Sequence, residues 1–194
     1  MLKFLSAAGI CLLLATGAQA TTVDFEGPYG STGTFDDGGG NGSFKDKTST
    51  MPAFDFYYKL VGSNSRSGSG VLTSLTFTGF EGIVNFATTW LYNSYDRTPN
   101  WDPFGLILNG TDIQLTDNSG GLDQVGSYQF TVSPSDTFSF YIDAVDDKAG
   151  KAKALIFGQS DLAPIPLPAA LPMAAAGLML LGGMASRRKK RTLA

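Results

Sequence analysis

Trp90, Tyr92, Tyr95 and Trp101 fall within twelve residues of one another, and their rings could stack on the apolar faces of sugars. They form a candidate glycan-binding group, although large aromatics of this kind also fill the cores of β-sandwiches. Asp143, Asp146 and Asp147, just ahead of Gly150, offer the carboxylate oxygens that Ca²⁺ prefers. They lack the twelve-residue ligand spacing of an EF-hand, and a solvated turn would use the same residue types. Asp36-Asp37-Gly38 is a weaker group, since acids beside glycine are ordinary turn chemistry. Histidine is absent, which removes the commonest neutral-pH base and metal ligand. Two carboxylates ~5 to 9 Å apart could hydrolyse a glycoside. Nothing in the spacing of Glu26 and Glu81, the only glutamates, brings them together. A non-catalytic protein without a cofactor is expected, calcium being the one candidate ion.

The segment that must position these residues is 21–163. Ahead of it Lys3 precedes an apolar run from Phe4 to Ala15, and Ala18-Gln19-Ala20 supplies the small residues that signal peptidase needs. Residues 1–20 are therefore expected to be a signal peptide, and the single cysteine, Cys11, leaves with them. The remaining 143 residues suit one domain. All 17 acidic residues lie there with only eight of the 14 basic ones, so eight minus 17 leaves a charge of −9. Such a balance repels phosphate backbones and argues against a nucleic-acid partner. It favours solubility outside the cell.

Within 21–163 the apolar period is two. Phe54, Phe56, Tyr58 and Leu60 alternate with Asp55, Tyr57 and Lys59, and Leu75 and Phe77 alternate with Thr76 and Thr78. Phe104 to Leu108 and Thr111 to Leu115 flank Asn109-Gly110, which predicts a hairpin with a type I′ turn. Tyr128, Phe130 and Val132 precede Ser133-Pro134-Ser135-Asp136, and Phe138, Phe140 and Ile142 follow it, which predicts a second hairpin. Ile83 to Leu91 and Ala152 to Phe157 are further strands, with Val23 to Phe25 a short edge strand. The stretches 38–43 and 63–70, rich in glycine and serine, read as surface loops. About eight strands and no helix predict an all-β fold, a two-sheet antiparallel β-sandwich of jelly-roll-like kind, with a closed barrel as the alternative.

Residues 164–194 have a different character. Residues 166–185 carry no charge, and Arg187, Arg188, Lys189, Lys190 and Arg191 follow, a basic cluster that prefers the cytoplasmic face and resists translocation. Pro166, Pro168 and Pro172 disfavour helix before them, so the apolar helix is expected over 172–186, about 22 Å at ~1.5 Å per residue and short for a bilayer. Ile165-Pro166-Leu167-Pro168-Ala169, the apolar helix and the basic cluster, in that order, resemble the PEP-CTERM class of bacterial sorting signals, closest to the VPLPA-CTERM variant with Ile165 in place of its Val. The resemblance implies an exosortase-type membrane transpeptidase as partner, cleavage near the motif, and transfer to the cell surface. An ordinary single-pass anchor is the alternative.

A second resemblance covers about fifty residues of the domain. Trp101-Asp102-Pro103-Phe104-Gly105, Asn109-Gly110, Gln114-Leu115, Gly126-Ser127, Asp136-Thr137-Phe138 and Asp143 are similar to a pattern of secreted PEP-CTERM bacterial domains, which implies a β-sandwich of the envelope or matrix. In that motif Asp102 is expected extended before Pro103, its carboxylate accepting backbone N–H groups, with Trp101 and Phe104 plugging a sandwich end. The expected protein is thus an exported, non-catalytic component of the cell surface or extracellular matrix, membrane-tethered by the C-terminal helix until processing. The alternative is a carbohydrate-binding module acting on envelope or biofilm polysaccharide.

Overall fold

The structure, a computed structural model, describes residues 20–162. Almost all of the expected signal peptide, and the whole sorting segment with its proline motif and basic cluster, lie outside these residues. Among the described residues no helix is long and apolar enough to cross a membrane.

Eleven strands form the domain: β1 (Thr22–Glu26), β2 (Thr32–Asp36), β3 (Ser43–Asp46), β4 (Phe56–Val61), β5 (Val71–Thr78), β6 (Val84–Asn93), β7 (Phe104–Leu108), β8 (Thr111–Gln114), β9 (Asp123–Val132), β10 (Phe138–Ala144) and β11 (Lys153–Leu162). They make a six-stranded sheet of order β1-β2-β5-β10-β7-β8 and a five-stranded sheet of order β3-β4-β11-β6-β9. All pairings are antiparallel. The two sheets face each other as a β-sandwich.

The period-two pattern is clearest on β4, β5 and β6. In β4, Phe56, Tyr58 and Leu60 are buried between the sheets while Tyr57, Lys59 and Val61 face out. In β6 the even-numbered residues from Val84 to Tyr92 are buried. Aromatic rings meet within each sheet, Phe77–Phe138 at 4.9 Å and Phe86–Phe130 at 5.1 Å between centroids, and across the core, Phe130–Phe138 at 4.9 Å. Offset and edge-to-face pairs of this kind add about 0.5–1.5 kcal/mol each beyond the area they bury. The β7–β8 hairpin also forms as predicted: Asn109 and Gly110 have φ of 50° and 81°, and Leu108 pairs with Thr111.

The expected second hairpin does not form. β9 pairs with β6 in one sheet and β10 with β5 and β7 in the other, so the Ser133–Asp136 turn carries the chain across the core. Both strands bury their aromatic faces, but they bury them against each other from opposite sheets. Alternation reveals which side of a strand is apolar and is blind to the sheet it joins. Seven connections cross in this way, which gives a wrapped arrangement. Short strands β2 and β3, which the alternation did not reveal, raise the count to eleven.

Antiparallel registers bring five connections to one end of the sandwich: 37–42, 62–70, 94–103, 115–122 and 145–152. Every candidate residue of the aromatic and acidic groups lies at this end or on strands leading into it.

Candidate functional site

Residues 94–103 leave β6 and enter β7. The alternation of β6 continues into them, so Ser94 and Asp96 point inward and Tyr95 and Arg97 outward. Pro99 then opens a single 3-10 turn over Pro99–Trp101, closed by Asp102 N–H donating to Pro99 O at 3.2 Å. The turn is pinned from both sheets: Val145 N–H donates to Trp101 O at 2.8 Å, and the Tyr92 hydroxyl donates to Asp102 O at 2.9 Å. The neighbouring 145–152 connection lies close against it. A Cβ on Gly150 would stand 2.5 Å from the Tyr95 carbonyl carbon.

This packing divides the four aromatics. Trp90 and Tyr92 are core residues, 5% and 2% exposed, so they present no ring to a sugar; that part of the glycan-binding expectation is corrected. Tyr95 and Trp101 are 68% and 39% exposed and are the only exposed aromatic residues among those described. Trp101 therefore does not plug the sandwich end, while Phe104, fully buried against Trp90, does.

The acidic run is likewise dispersed. Asp147 turns inward and accepts the N–H groups of Ser65 and Ser67 at 2.8 and 3.1 Å and the Ser65 hydroxyl, tying 62–70 to 145–152. Burial opposes its charge, but the serine donors outweigh it and hold the carboxyl well below the usual carboxylate range. Asp146 accepts the Lys148 N–H at 3.0 Å in a local turn. Asp143 stands on β10, where burial and then the Asp112 charge raise its pKa. Among the described residues no three acidic, cysteine or histidine side chains are grouped to hold a metal, so Asp143, Asp146 and Asp147 do not form the expected calcium site. Asp36 and Asp37 accept the N–H groups of Gly38 and Gly39, as turn residues do.

A different acidic pair is gathered inside the 94–103 connection. Asp102 is 1% exposed and Asp96 5%. Ser94 links them: its hydroxyl donates to Asp102 Oδ2 at 3.2 Å and accepts the Asp96 N–H at 3.0 Å. Asp102 has φ of −136° and ψ of 51°, and its side chain meets a hydroxyl where backbone N–H groups were expected, because the carboxyl is folded inward rather than over the next turn. Burial first, and then the charges of Asp96, Asp146 and Asp143, push its pKa up to about 7, against the lowering effect of Ser94. Asp96 Oδ1 accepts the Arg97 N–H, while Asp96 Oδ2 is buried with no partner.

A shallow depression of about 380 Å³ opens on the outer face of the five-stranded sheet, over Leu91, Val125 and Leu155, with Asn93, Asp123 and Lys153 at its margin. The three aliphatic residues sit in one cross-strand row, Leu155–Leu91–Val125.

No family model matches the chain, and no curated protein matches it. Among solved structures it is similar to the CBM35 from Paenibacillus barcinonensis, at 11% identity and a TM-score of 0.31 over 70% of this chain and 95% of that one. It is also similar to the Agl-KA catalytic domain, at 14% identity and a TM-score of 0.32 over 79% of this chain and 30% of that one. Likenesses of this size carry no inference about activity.

Proposed function

We propose that this chain is an exported, non-catalytic protein of the cell surface or extracellular matrix whose sandwich binds polysaccharide through Tyr95 and Trp101. One observation carries the proposal: in a domain whose other described aromatics are buried or half-buried, these two rings stand exposed on a single pinned connection. Exposed aromatic surface of this kind offers a flat apolar face to the C–H side of a sugar ring. Arg97 and Asn100, exposed on the same connection, add polar groups for hydroxyls. Delivery by a PEP-CTERM-type tail is supported by the order of its three parts in the sequence, Ile165 to Ala169, then the apolar stretch, then Arg187 to Arg191.

Affinity electrophoresis in polysaccharide gels tests the binding. The native protein should be retarded, and Tyr95→Ala with Trp101→Ala should abolish retardation without lowering the melting temperature. Undiminished retardation of the double variant would refute the assignment. Delivery is tested by intact mass from cells with and without their transpeptidase. A mature product ending near Pro168 agrees with processing, and one that still carries Arg191 does not.

A further inference from the structure

We propose that Asp96 and Asp102, with the Ser94 hydroxyl, bind a hard divalent cation of the calcium kind inside the 94–103 connection. Its ligands are drawn from neither the acidic run at 143–147 nor the exposed rings of Tyr95 and Trp101.

The first ground is the unpartnered oxygen. Asp96 is more than nine-tenths buried, and its Oδ2 has lost water without gaining a donor. A carboxylate oxygen in that state is costly unless something positive reaches it. The Arg97 backbone N–H serves only the other oxygen, and the Arg97 side chain is exposed.

The second ground is the neighbour. The carboxylate of Asp102, almost wholly buried, is linked through the Ser94 hydroxyl to the backbone N–H of Asp96, and the Asp96 charge acts on it within the same poorly solvated connection. Like charges so placed favour either a proton or a metal ion between them. The raised affinity of Asp102 for a proton, caused by burial and then by Asp96, Asp146 and Asp143, reflects that same unmet negative field.

Donor chemistry selects the ion. Every group at hand is an oxygen, which suits a hard cation and not zinc, for which nitrogen and sulfur are the usual ligands. Two carboxylates and a hydroxyl fall short of a full shell, and calcium completes such shells with carbonyl oxygens and water. Magnesium gives up its water reluctantly and demands octahedral geometry, so calcium should bind in preference.

The full chain, stripped of metal with a chelator and kept in neutral detergent, is titrated with CaCl₂ and separately with MgCl₂. The melting temperature should rise with calcium concentration, and more than with magnesium. Tb³⁺ should give luminescence sensitised by the nearby aromatic rings, displaced by calcium. Asp96→Asn and Asp102→Asn should each remove both responses, and Asp123→Asn, a change at the sheet edge, should keep them. If Asp102→Asn does not fold, Asp96→Asn and Ser94→Ala carry the same comparison. Absence of any calcium response in the native chain would overturn the proposal. A response that survives Asp96→Asn would also overturn it.

Discussion

Trp90 stands opposite Gly126 in the pairing of β6 with β9, and its indole ring fills the space a side chain at 126 would need. A Cβ there would lie 2.4 Å from Trp90 Cζ2. Gly126→Ala must therefore displace a packed ring, and overpacking of this kind costs about 1–3 kcal/mol. Urea unfolding should show that loss. Gly121→Ala, whose Cβ would meet nothing nearer than 3.6 Å, should leave the midpoint nearly unchanged.

The two tryptophans should separate in stability as they do in position. Trp90→Ala removes a buried ring and should cost about 3–5 kcal/mol. Trp101→Ala changes an exposed one and should stay within about 0.5 kcal/mol. Equilibrium denaturation of both variants makes the comparison. Comparable losses would mean that Trp101 is structural and not a binding surface.

Much of this was legible in the residues themselves. Phe56, Tyr58 and Leu60 announced their inward face by alternation, and Asn109-Gly110 announced its turn by the positive φ it tolerates. The sheet partners of β9 and β10 were not legible, because pairing depends on residues far apart: Val132 meets Val84 and Phe138 meets Phe77. The aromatic group was legible as chemistry but not as exposure. Continuing the β6 parity from Tyr92 through Ser94 to Asp96 would have placed Tyr95 outside and Asp96 inside, but a loop gives no warning that parity persists beyond the strand. The Asp102 partner, Ser94, is eight residues away, and only the 3-10 turn after Pro99 brings them together.

Acid should weaken the tie between 62–70 and 145–152. Asp147 holds a depressed pKa in the folded domain, so the unfolded chain takes up its proton first as pH falls. Its contribution is complete above about pH 4, the ordinary range for an aspartate, and is lost progressively below it. Asp147→Asn should therefore be less stable than the native protein at pH 7, with the difference shrinking below about pH 4. Thermal melts at pH 7, 4 and 3 would show it, and a pH-independent difference would contradict the assignment.

Calcium and sugar should be linked through the 94–103 connection if the cation organises it. Chelation should then reduce retardation in polysaccharide gels, and Asp96→Asn should do the same with Tyr95 and Trp101 intact. Retardation unaffected by chelator would leave the cation as a purely stabilising element of the loop.

β11 is the last described strand in chain order, yet it occupies the middle of the five-stranded sheet, between β4 and β6. Until it arrives, that sheet exists only as two strand pairs, β3–β4 and β6–β9, and isolated pairs are marginal in water. A chain emerging from its N-terminal end thus stays open until residue 153 and beyond are free, which delays closure of that sheet until late in synthesis. The domain is locked by its final described segment, which serves as the keystone of that sheet.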